Sequence, residues 1–129
     1  MQTIDIKYLN PKKGSKILDL GCGQGRHCFG AYMYVDADVF GFDMSHEDVL
    51  KAKKNFKEFD ELSSSKSCSF GVTDGRKLPF KNNAFDYVIC SEVLEHIIDF
   101  ELVIEEIERV LKPGGIFAAS VPKYLPEWI

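Results

Sequence analysis

The chain lacks any apolar run long enough to cross a bilayer, and Met1 to Asn10 lack the apolar stretch of a secretory leader. A membrane partner is therefore not expected, and the expected location is cytoplasmic. Positive charge is not in excess. Sixteen Lys and Arg stand against twenty Asp and Glu, a net charge of −4 that offers no basic face to nucleic acid. Lys51, Lys53, Lys54 and Lys57 read as a solvated helix face. The four cysteines, Cys22, Cys28, Cys68 and Cys90, form no C-x-x-C pair, so a zinc site is not expected. Cys22 and Cys90 read instead as small buried fillers in a reducing compartment. Internal repeats and low-complexity tracts are absent, and Ser63 to Ser67 is the one polar loop of note. The 129 residues, 45% apolar and 28% charged, suit one globular domain over residues 1–129 with one core.

The most informative segment is Ile17-Leu18-Asp19-Leu20-Gly21-Cys22-Gly23-Gln24-Gly25-Arg26. A short apolar strand carries a carboxylate near its end. Three alternating glycines come next, and then a helical pattern. Glycine belongs where φ is positive or where a Cβ would strike a ligand. A loop at the carboxyl end of a strand is where open α/β sheets bind ligands. The spacing is not the dinucleotide fingerprint G-x-G-x-x-G, which would place glycine at position 26, where Arg26 stands.

The rest of the chain alternates strand and helix. Strands are expected at Lys16–Leu20, Val39–Phe42, Cys68–Val72, Phe85–Cys90 and Ile116–Val121. Helices are expected over 25–34, from Ser45 to about Phe59, and over 99–111. Ser45 suits an N-cap with Asp48 three residues on. In the last helix Phe100, Val103, Ile104, Ile107, Val110 and Leu111 share one face, with Glu101, Glu105 and Glu108 opposite. Pro113-Gly114-Gly115 is expected to stop that helix. Strands separated by helices imply a parallel sheet, and apolar runs rather than strict alternation imply that both its faces are covered.

Four further motifs lie on this frame. Val39-Phe40-Gly41-Phe42-Asp43-Met44-Ser45 ends a second strand in an acid, placed to accept hydrogen bonds from both hydroxyls of a ribose. Aspartate is also favoured at helix N-caps, which is the alternative for Asp43. Val72-Thr73-Asp74-Gly75-Arg76-Lys77-Leu78-Pro79-Phe80 comes after the third strand and contains an Asp-Gly turn. Phe85-Asp86-Tyr87-Val88-Ile89-Cys90-Ser91-Glu92-Val93-Leu94-Glu95-His96 runs from the fourth strand into the next segment, and Val110-Leu111-Lys112-Pro113-Gly114-Gly115-Ile116-Phe117 leads into the fifth.

Together these five elements resemble, in order and spacing, the class I S-adenosylmethionine-dependent methyltransferases, in the subgroup with an Asp-Leu-Gly-Cys-Gly loop and a Leu-Pro-Phe element. The resemblance implies a Rossmann-like, doubly wound parallel sheet of order 3-2-1-4-5 with helices on both faces. It implies S-adenosyl-L-methionine as cofactor, S-adenosyl-L-homocysteine as product, and a small-molecule methyl acceptor. By the same resemblance Asp19 would orient the methionine ammonium, and Gly21, Gly23 and Gly25 would admit the methionine part. Asp43 would hold the ribose, Met44 would pack on the adenine, Asp74 would accept the adenine amino group, and Gly75 would meet the ring edge. Ser91 and Glu92 would lie near the methionine end. No catalytic base is assigned, because in-line transfer from a sulfonium needs alignment above all.

Three other readings are weighed. A nicotinamide-dependent oxidoreductase is disfavoured by Arg26 and by the lack of a hydride-transfer centre. Glu92, Glu95 and His96 resemble the first metal ligands of the small-RNA 2′-O-methyltransferases, but no histidine comes after His96, so no metal site is expected. A binding module without catalysis is the main alternative, because family members continue for two more strands and this chain stops at Ile129. The chain is accordingly expected to be the cofactor-binding half of the fold, truncated at its C-terminal side. Its fifth strand would then be an exposed edge capable of self-association.

Overall fold

The computed structural model describes residues 12–23, 25, 37–59, 68–90 and 99–119. Strand β1 is Ser15–Leu20 and β2 is Ala37–Asp43. Helix α1 is His46–Phe59, and β3 is Cys68–Val72. Strand β4 is Phe85–Cys90, helix α2 is Phe100–Val110, and β5 is Leu111–Ala119. The five strands form one parallel sheet in the order β3-β2-β1-β4-β5. That is the expected topology. The expected helix over 25–34 lies outside the described residues, apart from Gly25.

The sheet is apolar on both faces, as parallel sheets with helices on each side must be. Successive side chains of a strand point to opposite faces. Ile17 joins Val39, Ala37, Cys22 and Ile89 in one buried cluster. Leu18 and Leu20 join Val88, Phe85 and Leu78 in the other. Helix α1 covers the first face, with Val49 and Ala52 buried and Phe56 set edge-on against Phe70. Helix α2 covers the second, burying Val103, Ile107 and Val110. Phe100, expected on that buried stripe, is 45% exposed, because the first turn of α2 extends past the cluster.

One expectation is corrected. Pro113 lies two residues past the C-cap, Leu111, where it bars a further helical turn as expected, but the Pro-Gly-Gly stretch already belongs to β5. The helix stops at Val110, and Leu111 is already extended at φ −75°, ψ 138°. Tertiary pairing takes over there: Asn83 and Ala84 donate their N–H groups to the Arg109 and Val110 carbonyls, and Leu111 pairs with Phe85. The next paired residues are Tyr87 and Ile116, so the Lys112–Gly115 stretch bulges out of β5. Gly114, at φ +80°, supplies the left-handed residue this detour needs. The fifth strand therefore begins at Leu111 rather than Ile116.

Candidate functional site

The carboxyl ends of β1, β2, β3 and β4 are level. Leu20 pairs with Phe42 and Cys90, and Asp43 pairs with Val72. Chain order reverses between β1 and β4, so their carboxyl ends flank the crevice where open α/β sheets take ligands.

The glycine loop leaves β1 at this rim and is tied to β2. Gly21 and Cys22 both donate to the Phe42 carbonyl, at 2.7 and 3.2 Å. Gly25 N–H closes the turn on the Cys22 carbonyl at 2.9 Å. Gly21, Gly23 and Gly25 have φ of 80°, 55° and 93°, which side-chain-bearing residues rarely adopt. A Cβ built on Gly23 would meet no atom within 4 Å, so the loop presents bare backbone to open space.

Asp43 organises this rim. Its Oδ2 accepts the Gly23 N–H at 2.8 Å, its Oδ1 accepts the Ser45 N–H at 2.8 Å, and its carbonyl accepts the Thr73 N–H at 2.9 Å. One residue thus ties the glycine loop, the start of α1 and the loop after β3 together. The N-cap alternative for Asp43 is set aside by geometry. Ser45 takes that role, its Oγ accepting the Asp48 N–H at 3.2 Å.

Asp19 is 2% exposed, the one buried carboxylate among the described residues. It sits one residue before the end of β1, beside Gly41 on β2 and Ile89 on β4. Met44 is 72% exposed, an uncovered large apolar side chain directly after Asp43. Asp19, Gly21, Gly23, Gly25, Asp43 and Met44 are therefore brought to one rim by local structure. Ser91, Glu92, Glu95 and His96 lie outside the described residues.

Asp74 and Gly75 reach the same end of the sheet from β3. A Cβ on Gly75 would contact Leu20 and Val103 at 3.5–3.6 Å, which seats the loop between β1 and α2. Asp74 differs from the simple acceptor that the resemblance implies. Its Oδ1 accepts the Arg76 N–H and Nε, and its Oδ2 accepts Nη2 at 2.7 Å. Hydrogen bonding from Arg76 holds the Asp74 carboxyl down at about 2, well below the usual carboxylate range. Arg76 also donates from Nη1 to Asp99 at 3.2 Å. The role of Arg76 was not legible in the sequence. An arginine two residues after an aspartate is a weak signal, and Asp99 is 23 positions away.

A second polar cluster fixes the Leu-Pro-Phe segment. Arg109 donates to Glu106 at 2.6 Å and to the carbonyls of Leu78 and Phe80. Glu106 in turn accepts the Leu78 N–H at 2.8 Å. Phe80 is locked edge-on between Phe42 and Phe85. This cluster positions the Asp74 loop by anchoring its C-terminal side. Cys22 and Cys90 are both buried, as expected of fillers. Among the described residues no group of three His, Cys, Asp or Glu could hold a metal ion, and no helix is long and apolar enough to cross a membrane.

Comparison with known proteins agrees with this geometry. The family described as Methyltransferase domain matches residues 11–128. An uncharacterized methyltransferase of Schizosaccharomyces pombe is 39% identical over 116 residues, covering 88% of this chain and 41% of that protein. A sterol 24-C-methyltransferase of Aspergillus fumigatus is 38% identical over 106 residues, covering 82% of this chain and 27% of that protein. Among solved structures, Haemonchus contortus phosphoethanolamine N-methyltransferase 2, in complex with S-adenosyl-L-methionine, superposes with a TM-score of 0.78 at 29% identity. That match covers 88% of this chain and 26% of the other. The chain thus spans less than half the length of these relatives. A matched family over nearly the whole chain, with a glycine loop and an acid at the ends of adjacent strands, makes this chain a member of the class I S-adenosylmethionine-dependent methyltransferases.

Proposed function

We propose that the chain is a single cofactor-binding domain of a methyltransferase acting on a small-molecule acceptor, with S-adenosylmethionine held at the rim of β1, β2 and β3. The observation that carries this reading is the Asp43 clamp on the glycine loop. An ionised carboxylate offers about four acceptor positions. Gly23 and Ser45 occupy one on each oxygen, so each oxygen keeps a position for a ribose hydroxyl. The residues also fit the rest of the cofactor. Gly21, Gly23 and Gly25 hold the positive φ of the loop, Gly23 leaves open space where a Cβ would stand, and exposed Met44 supplies an apolar platform for a base. Asp19, buried one residue before the end of β1, would receive a methionine ammonium.

The bound cofactor supplies an electrophilic methyl on a sulfonium. The chain's contribution is alignment, fixing the ribose at Asp43 and the backbone at Gly23 so that an acceptor meets the methyl from the open side. The small-molecule class is supported by the sterol and phosphoethanolamine named for the two relatives. A reducing cytoplasmic setting fits the free thiols at Cys22 and Cys68. The same reading includes weak self-pairing along the outer edge of β5.

Calorimetric titration with S-adenosylhomocysteine, using NADH as control, tests the cofactor. Saturable binding of the first alone is expected. In Asp43→Ala the affinity should fall by about 1.5–3 kcal/mol for each charge-assisted hydrogen bond removed. Unchanged affinity would place the ribose elsewhere.

A further inference from the structure

We propose that Arg76 is a positioning residue that makes Asp74 selective for an exocyclic amine on the bound base. This rests on the cofactor reading above. The Asp74 carboxylate is nearly filled from within the loop. Oδ1 takes the Arg76 N–H at 2.9 Å and Nε at 3.1 Å, while Oδ2 takes Nη2 at 2.7 Å and shares Nε at 3.1 Å. Three donors, with Nε shared equally between the two oxygens, leave one of about four acceptor positions among the described residues. A carboxylate pinned by a planar fork offers that position in a fixed direction.

The fork is itself held at its far end. Nη1 of Arg76 donates to Asp99 Oδ2 at 3.2 Å. Asp99 precedes α2 with φ 61° and ψ 42°, an uncommon conformation for a non-glycine residue, and its side chain caps none of the helix N–H groups. Its carboxylate is turned to Arg76 instead. All three side chains are about half exposed, and ion pairs in that setting contribute little to stability. A two-ended clamp that stabilises little, its Asp74 and Arg76 flanking Gly75, which sits against Leu20 and Val103 at the site rim, is suited to orienting a ligand acceptor.

The test is calorimetric titration of the wild-type chain, Arg76→Ala, Arg76→Lys and Asp99→Gly. Each is titrated with S-adenosylhomocysteine and with its deaminated analogue, which carries a carbonyl where adenine carries the amine. Wild type is expected to prefer the amine form by about tenfold or more, the value of one hydrogen bond to a charged group. Arg76→Ala should lose most of that preference with an unchanged melting temperature. Arg76→Lys should restore a part of it, because an ammonium lacks the fork. Asp99→Gly should weaken the preference without lowering the melting temperature, since glycine adopts φ 61° freely. A preference left intact in Arg76→Ala overturns the proposal. So does tighter binding of S-adenosylhomocysteine by that variant, which would show Arg76 competing for the carboxylate. Equal binding of both ligands by wild type, with both weakened in Asp43→Ala, overturns this inference and leaves the cofactor reading standing. Failure of wild type to bind either ligand overturns both.

Discussion

Asp43 shows what a single residue does when an acid ends a strand beside a glycine loop. Its position was legible in the sequence, because a strand pattern ran from Val39 and stopped at a carboxylate. Its clamp was not, because the Gly23 N–H reaches it only through the positive φ of the loop. Gly71 is the opposite case, a glycine that no motif marks. A Cβ at that position would overlap the Phe42 ring, which sits edge-on to Phe80 at 4.9 Å. Gly71→Ala must therefore displace Phe42 from its aromatic contacts. Overpacking of this kind costs about 1–3 kcal/mol. Chemical denaturation of Gly71→Ala should show that loss, and Phe42→Leu in the same chain should recover part of it by removing the ring. Full stability in Gly71→Ala would mean that Phe42 has room to turn aside.

At the scale of elements, periodicity and the Pro-Gly-Gly stop gave α2 correctly, and local chemistry missed the start of β5. Val103, Ile107 and Val110 are buried as their spacing predicts. The Pro-Gly-Gly stretch marks the stop, but pairing with Phe85 draws Leu111 into β5 ahead of it. Such pairing joins residues 26 positions apart and leaves no local signal. The clamp between α2 and the Leu-Pro-Phe segment is equally non-local. Glu106 meets Leu78 across 28 positions. Hydrogen bonding from Arg109 is the main reason that the Glu106 carboxyl titrates below its ordinary value of 4.5, with the Leu78 N–H adding to it. A carboxyl with a lowered folded value stabilises the fold in full above its unfolded value. That contribution is lost as pH falls through the lowered folded value. Glu106→Gln should accordingly cost about 1.5–3 kcal/mol near neutral pH, the worth of a hydrogen bond to a charged group. The gap between variant and wild type should close as pH drops below 4.5. Urea melts at pH 7, 5 and 3 measure it, and a gap independent of pH would assign the loss to packing alone.

At the scale of the whole molecule, alternating elements made a parallel sheet legible, and its order β3-β2-β1-β4-β5 is the one that the family resemblance implies. What pairs with the outer edge of β5 was not legible, since an edge is defined by what lies beside it. Among the described residues β5 pairs with β4 alone. The bulge between Leu111 and Ile116 disrupts the first half of that edge, and Lys112 adds a charge there. Bulges and edge lysines are devices that blunt strand pairing. The usable edge is then Ile116 to Ala119, with Ile116 44% exposed. Four residues of added strand bury far less than the ~1,000 Å² that a specific stable interface needs. Self-pairing through this edge should therefore be weak and fast. Sedimentation velocity should show a weight-average coefficient that rises smoothly with concentration into the high micromolar range, without a separate dimer boundary. Ile116→Lys should flatten the rise, because two lysines would face each other across the paired edge and would leave the strand's partner contact with Tyr87 in place. A coefficient independent of concentration in the unmodified chain would show that the bulge and Lys112 already suffice to protect the edge.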